Sequence, residues 1–229
     1  DSVYDATTVA ALSGSPIVAP LTGDVVTVAG SAVGRFADKN VGTGKPVAVD
    51  GLTLGGADAA NYTVVAAAGL TADITPRPLS ASGITVAPKV YDGTVTATLD
   101  GAATLAVLAG DRVSLSGSLV ARFADRNVGS GKPVTVTGFG LAGPDAANYR
   151  LDGLGVLTGT ITPRPVVVQG LTVASKVYDG TAVASLAGSP SLNIVAGDRV
   201  SLSGAAQAAF PDKNVGANRP VTVSGLTLQ

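Results

Sequence analysis

Cysteine, histidine, methionine, tryptophan and glutamate are all missing from the 229 residues. Without cysteine no disulfide scaffold can form, and without histidine or cysteine neither a Ser–His pair nor a thiolate nucleophile can be assembled. The metal chemistry left is that of hard oxygen ligands. Aromatic residues make up only 4% of the chain, so each Tyr or Phe should fill space that Val, Leu and Ala cannot. A net charge of −1 offers no basic footprint for nucleic acid or an anionic membrane. The longest apolar stretch, Val64 to Leu70, is too short to cross a bilayer, so no membrane insertion of this segment is expected. With glutamate absent, all sixteen acids are Asp, which favours turns and caps over helix interiors.

Thirty Gly and thirteen Pro accompany abundant Val and Thr, a balance that favours short strands joined by tight turns. One hexapeptide, KVYDGT, occurs at Lys89–Thr94 and again at Lys176–Thr181, an offset of 87 residues. The same offset aligns Tyr4, Tyr91 and Tyr178, then Phe36, Phe123 and Phe210. It also aligns FADKNVG with FADRNVG and FPDKNVG, the two DAANY segments and the two ITPRP segments. No insertion or deletion disturbs this register, so the chain is a tandem array. The period divides it into 1–78, which lacks its first strand, a complete unit at 79–165, and 166–229, which lacks its final strands. The expectation is a section of a longer array, with the middle unit held most firmly and the third least. Units of this size bury only about 60–65% of their unfolded surface, so each should be modestly stable.

Within a unit, Val113 to Gly117 and Pro133 to Gly138 alternate apolar and polar residues, the pattern of a strand with one wet face. Strands are also expected at Ile84–Ala87, Val95–Leu99, Tyr149–Leu151 and Val156–Ile161. YTVVAAAGLTADI has helical alanine content, but its counterpart YRLDGLGVLTGTI carries three glycines, so both should be strand and turn. DAANY is the best helical candidate, with Asp145 as N-cap of a single turn. The predicted fold class is all-β, with at most a short helical turn per unit, in tandem small β-sandwich or β-grasp-like domains. The prolines Pro76, Pro78, Pro163 and Pro165 mark the unit boundaries as stiff, extended spacers, giving an elongated rod. With a radius of gyration of about 12 Å per unit, three units should extend to about 100 Å.

Candidate chemistry is sparse. A catalytic carboxylate pair would have to come from Asp residues that sit in turn contexts. Calcium, the one metal such ligands suit, would draw on Asp92, Asp111 and Asp125, with solvated turn aspartates as the plainer expectation. A Lys–Asn isopeptide bond is left with Lys89 and Asn148, since Lys39 becomes Arg126 and Lys45 becomes Arg219 in other units; a surface lysine is the expected state. GTGKP at Gly42–Pro46 lacks the full phosphate-loop pattern and reads as a hairpin turn. No enzyme activity, cofactor or metal is expected. The tyrosines and phenylalanines of the period are instead expected to be structural. Tyr91 should pack its ring into its own unit's core, with its hydroxyl bonded near a turn, and Asp92–Gly93 and Asp179–Gly180 should form that turn.

Together KVYDGT, GDRVSLSG, FADKNVG, GKPVTVTG, GADAANYTV and ADITPRPL resemble the YDG-type repeat of large secreted bacterial proteins. That group includes filamentous-haemagglutinin-like adhesins and related β-grasp-like extracellular modules. The resemblance covers essentially the whole chain. It implies an extracellular or cell-surface location, usually in Gram-negative bacteria, and a stalk or filament role; it brings no catalytic residues. YDAT replaces YDGT in the first unit, so Ala6 would be mildly strained if the turn needs φ > 0. The expected partners are neighbouring repeats of the same chain. Two other readings remain open: a module that binds host glycan or protein, and a subunit joined to copies of itself by strand exchange.

Overall fold

The computed structural model describes residues 1–66 and 68–229. Alternation sets the strands. Along Val120–Phe123 the side chains of Ala121 and Phe123 are buried while Val120 and Arg122 face outward. Along Gly129–Thr137 Val134 is buried and Val136 half-buried, with Thr135 and Thr137 exposed between and after them. Among the described residues the chain is all-β apart from two 3₁₀ turns at Ala59–Asn61 and Ala146–Asn148. The YTVVAAAGLTADI stretch contains Ala67, outside the described residues; its strand is Thr71–Thr75. Its counterpart forms Tyr149–Leu151 and Leu157–Thr162, and no described residue of either is helical.

One strand order recurs. The first period arranges Ser2–Val3, Thr71–Thr75, Gly42–Gly55, Thr27–Phe36 and Val9–Ala10 as neighbours in a five-stranded sheet. The second repeats that order with Lys89–Val90, Leu157–Thr162, Gly129–Thr137, Val120–Phe123 and Thr96–Ala97. The outermost strand joins in parallel, Ser2 opposite Ile74 and Lys89 opposite Ile161, while the hairpin pairs are antiparallel. The third period forms a three-stranded sheet of Val183–Ala184, Gln207–Ala209 and Thr222–Ser224. Glycine is required where hairpins pinch. A Cβ on Gly117 would come within 2.1 Å of the Gly138 carbonyl oxygen, and one on Gly138 within 2.1 Å of that of Ser118.

The compact units do not follow the period. Unit 1 comprises residues 1–87, 97–122 and 133–158; unit 2 comprises 88–96, 123–132 and 159–229. Each unit therefore holds the second half of one junction between periods together with the first. The core of unit 1 contains Tyr4, Ala10, Phe36 and Ile74 from one period and Leu79 and Tyr149 from the next. In unit 2 Phe123 and Ile161 are the large buried side chains, with Ala184 and Ala208 also buried. Leu115 is half-buried, and so is Phe210.

The Asp145 cap differs from expectation. The turn forms, but Asp145, at φ −101° and ψ 4°, makes no side-chain bond to its helix. Its carboxylate accepts the Arg112 N–H at 2.9 Å, as that of Asp58 accepts the Val25 N–H at 2.8 Å. A turn of three residues offers few free N–H groups, and the neighbouring hairpin offers a better-aimed one.

Candidate functional site

The repeated hexapeptide folds locally for simple reasons. Asp5, Asp92 and Asp179 each accept both the backbone N–H and the hydroxyl of the Thr two residues on, at 2.8–2.9 Å. This Asx-type turn needs a left-handed residue between them. Gly93 and Gly180 have φ 81° and 80°, and Ala6 is forced to φ 66°, the strained conformation expected of it. Lys89 closes the loop by donating to the carbonyl and hydroxyl oxygens of Thr94 and the carbonyl of Thr96, and pairs with Asp92 at 2.8 Å. Lys176 repeats this with Thr181, Val183 and Asp179.

The turn fixes where its tyrosine points, and the tyrosine reaches into the next period. In unit 1 the Tyr4 hydroxyl donates to Asp111 Oδ2 at 2.8 Å, across 107 residues of sequence. Tyr149 donates to the same oxygen at 2.6 Å, and Lys39 Nζ to Oδ1 at 2.6 Å. One carboxylate, with a side chain only 1% exposed, thus gathers two phenols and an ammonium. The Tyr4 and Tyr149 rings meet edge to face with centroids 5.5 Å apart, and Lys39 lies 5.6 Å from the centre of the Tyr4 ring. Asn148, 3% exposed, completes the contact: its Oδ1 accepts the Val41 N–H at 2.9 Å and its Nδ2 donates to Asn40 Oδ1 at 3.1 Å. The Leu108 N–H donates to the Tyr149 oxygen at 3.0 Å.

The prolines belong to this joint. Arg77–Leu79 is a strand, paired in parallel with Tyr149–Leu151 of the next period. Pro76 and Pro78 are exposed, and the segment is docked as a strand where a stiff, extended spacer was expected. An outer strand tolerates proline because its N–H is not needed by an inner neighbour. Pro163 and Pro165 are also exposed but lie outside any strand.

Electrostatics favour the charged carboxylate. Burial works against ionised Asp111, but the Lys39 ammonium and the hydroxyls of Tyr149 and Tyr4 outweigh it and hold the carboxyl below its usual range. Burial, then the bond to Asp111, pushes the Tyr149 phenol up to about 12. Burial likewise raises Tyr4, and its bond to Asp111 adds to that, while Lys39 works the other way. Lys39 is raised through Asp111 first and Tyr4 second. The cluster is built to hold a fixed charge pattern rather than to exchange protons near neutrality.

Unit 2 contains a second, sparser joint. The Tyr91 hydroxyl donates to Asp198 Oδ1 at 2.9 Å, and Arg126 takes the place of Lys39, 3.2 Å from the same oxygen. Tyr91 is half-buried, whereas Tyr4 is 0% exposed. Tyr178, the equivalent residue of the third period, is 57% exposed. This corrects the assignment of Tyr91 to its own unit's core. The ring is covered by what the following period supplies, so the motif's aromatic is an anchor between periods. Phe36 and Phe123, at 4% and 3% exposure, are the buried aromatics that recur within a period, each donating its N–H at 2.8 Å, to Thr8 and Val95 respectively.

The other candidates have structural partners. Asp92 is held by Lys89, Asp111 by the joint, and Asp125 by Lys132 at 2.7 Å and the Asn127 N–H at 2.8 Å. Among the described residues no group of three metal-ligating side chains comes together. The donors of Lys89 go to Thr94, Thr96 and Asp92, and Asn148 is engaged by Val41 and Asn40. GTGKP is a bulge inside the strand Gly42–Gly55, where a hairpin turn was expected, with the pairing shifting between Gly42 and Lys45. The Gly44 N–H donates to Asp73 at 2.7 Å.

The chain matches one known family, the YDG domain, in three successive copies over residues 1–70, 75–155 and 162–229. No curated protein and no solved structure matches it.

Proposed function

The chain belongs to the YDG domain family, and from that premise we propose that it is a structural section of a secreted or cell-surface bacterial adhesin, a stalk or filament built by repetition. The observation that carries this reading is the Asp111 cluster. The most elaborate polar site in unit 1 joins one period to the next, and its cation, carboxylate and phenols are all engaged with one another. The same Tyr–Asp–cation pattern in unit 2 supports a role for repetition itself. The function is mechanical: periods add length, and charge-assisted bonds at the junctions resist separation. Filamentous-haemagglutinin-like adhesins are the class of whole protein in which such a section belongs. Antibodies against residues 1–229 test this on the producing bacterium. Labelling of intact cells or recovery from the medium is expected, and signal confined to the cytoplasm would refute it.

A further inference from the structure

The KVYDGT turn is a cage of oxygens built around a positive charge. The Lys89 ammonium donates to the Thr94 carbonyl at 3.0 Å, the Thr94 hydroxyl at 2.7 Å and the Thr96 carbonyl at 2.8 Å, and lies 2.8 Å from Asp92 Oδ1. Lys176 meets Thr181, Val183 and Asp179 in the same way, at 2.7–2.9 Å. The two lysine side chains are only 14% and 21% exposed, so the oxygens converge on a sheltered point that the ammonium fills.

The first period keeps the oxygens and changes the lysine. By the 87-residue offset Asp92, Thr94 and Thr96 correspond to Asp5, Thr7 and Val9, whereas Lys89 corresponds to Ser2. The backbone is the same. Asp5 accepts the Thr7 N–H and hydroxyl at 2.8 Å, and Phe36 donates to the Thr8 carbonyl as Phe123 does to that of Val95. Ser2 lies opposite Ile74 as Lys89 lies opposite Ile161. A hydroxymethyl group therefore stands where the other periods carry a long stem ending in an ammonium. Among the described residues no cation pairs with Asp5, and no side chain donates to the carbonyls of Thr7 or Val9. The Thr7 hydroxyl accepts the Val9 N–H at 3.3 Å and retains a second lone pair.

Size and charge decide what fits. Oxygens 2.7–3.0 Å from the centre are too far apart for calcium, which takes about 2.3–2.6 Å, and further still from the spacing of magnesium. One carboxylate is also little charge for a divalent ion. Potassium is close to ammonium in size and takes carbonyl oxygens in place of its hydration shell. We infer that the turn from Asp5 to Val9 binds a monovalent cation of ammonium size, potassium or ammonium itself, where Lys89 and Lys176 supply the charge from within the chain. The inference rests on the turn and stands whether or not the protein is a stalk.

Amide chemical shifts of the 229-residue chain test it, as potassium chloride or ammonium chloride replaces tetramethylammonium chloride at constant ionic strength. A range up to about 0.5 M suits a site with one carboxylate. Thr7 and Val9 should shift saturably, while Thr94 and Thr181, served by lysine, should not move. A response to only one of the two salts supports the inference and names the ion. Asp5→Asn keeps an acceptor for the Thr7 N–H but removes the charge, and should weaken binding by about tenfold or more. Ser2→Lys should abolish the response, and Lys89→Ser should create one at Thr94. Amide exchange at Phe36 reports that the turn is intact in Asp5→Asn and Ser2→Lys. A Thr7 signal that stays still or moves without saturation would overturn the inference. So would equal shifts in the parent chain and Ser2→Lys, which is the behaviour of a general salt effect.

Discussion

Tyr4 and Tyr178 occupy the same place in the period, follow the same turn chemistry and differ completely in environment. One is 0% exposed and the other 57%. Tyr91 lies between them, with Asp198 and Arg126 as partners but without the second tyrosine and the docked strand that close over Tyr4. The series shows that a residue repeated in every period need not serve the core of that period. Here it serves the boundary, bonding to an aspartate of the following period.

The contrast between the two joints is broken most strongly at the carboxylate. Asp111→Ala leaves a cation and two buried phenols without their acceptor, and should destabilise unit 1 by about 3–5 kcal/mol. Asp198→Ala removes a half-open pair and should cost less than about 1 kcal/mol. Hydrogen exchange, read separately in the two units, checks both values. Equal losses would mean that the joints are equivalent despite their different burial.

Next in size is Tyr149→Phe, which strips one hydroxyl from Asp111 and from the Leu108 N–H and should cost about 1–2 kcal/mol.

The pH dependence follows from signs. Asp111 is lowered in the folded chain, so its contribution is present above the unfolded value of about 4 and is lost as pH falls through the lower folded value. Tyr149 is raised to about 12, so its contribution is complete below the unfolded value near 10 and is lost as pH rises towards 12. Thermal unfolding followed by circular dichroism should show unit 1 at its most stable between about pH 4 and 10. Asp111→Asn should flatten the acid side.

The smallest effect concerns the turn. Ala6→Gly relieves a left-handed alanine and should be neutral or stabilising by up to about 1 kcal/mol. Gly93→Ala should destabilise, because φ is 81° and the added Cβ would lie 2.7 Å from Val195 Cγ1. Opposite signs from the two swaps are what a left-handed residue at this place predicts, and a loss at Gly93 larger than the gain at Ala6 would report the added contact with Val195 of the next period.

Much of this was legible in the sequence. Period-two alternation located the strands around Val113 and Val134, the 87-residue offset revealed the array, and the glycine-rich counterpart of YTVVAAAGLTADI excluded a helix. The strain at Ala6, conditional in the sequence on a turn that needs φ > 0, was indicated by its equivalents Gly93 and Gly180. The joint was not legible, because its partners lie 107 residues apart, one period and twenty residues more. An offset of 87 says which residues are equivalent and nothing about which ones touch. A usable signal was nevertheless present: Lys39, Arg126 and Lys213 preserve a cation while changing its chemistry, beside an invariant Tyr and an invariant Asp. A position that keeps charge but not identity points to an ion pair. The docked proline strand was hidden for a different reason, since proline forbids one hydrogen bond but leaves the outer edge of a sheet open to it.

The direct test of the tyrosine as an anchor between periods is a double-mutant cycle on Tyr4→Phe and Asp111→Asn, read from amide exchange at Val41. Anchoring predicts a coupling of about 1–2 kcal/mol between the two positions. Additivity to within about 0.5 kcal/mol would contradict it and return Tyr4 to the core of its own period.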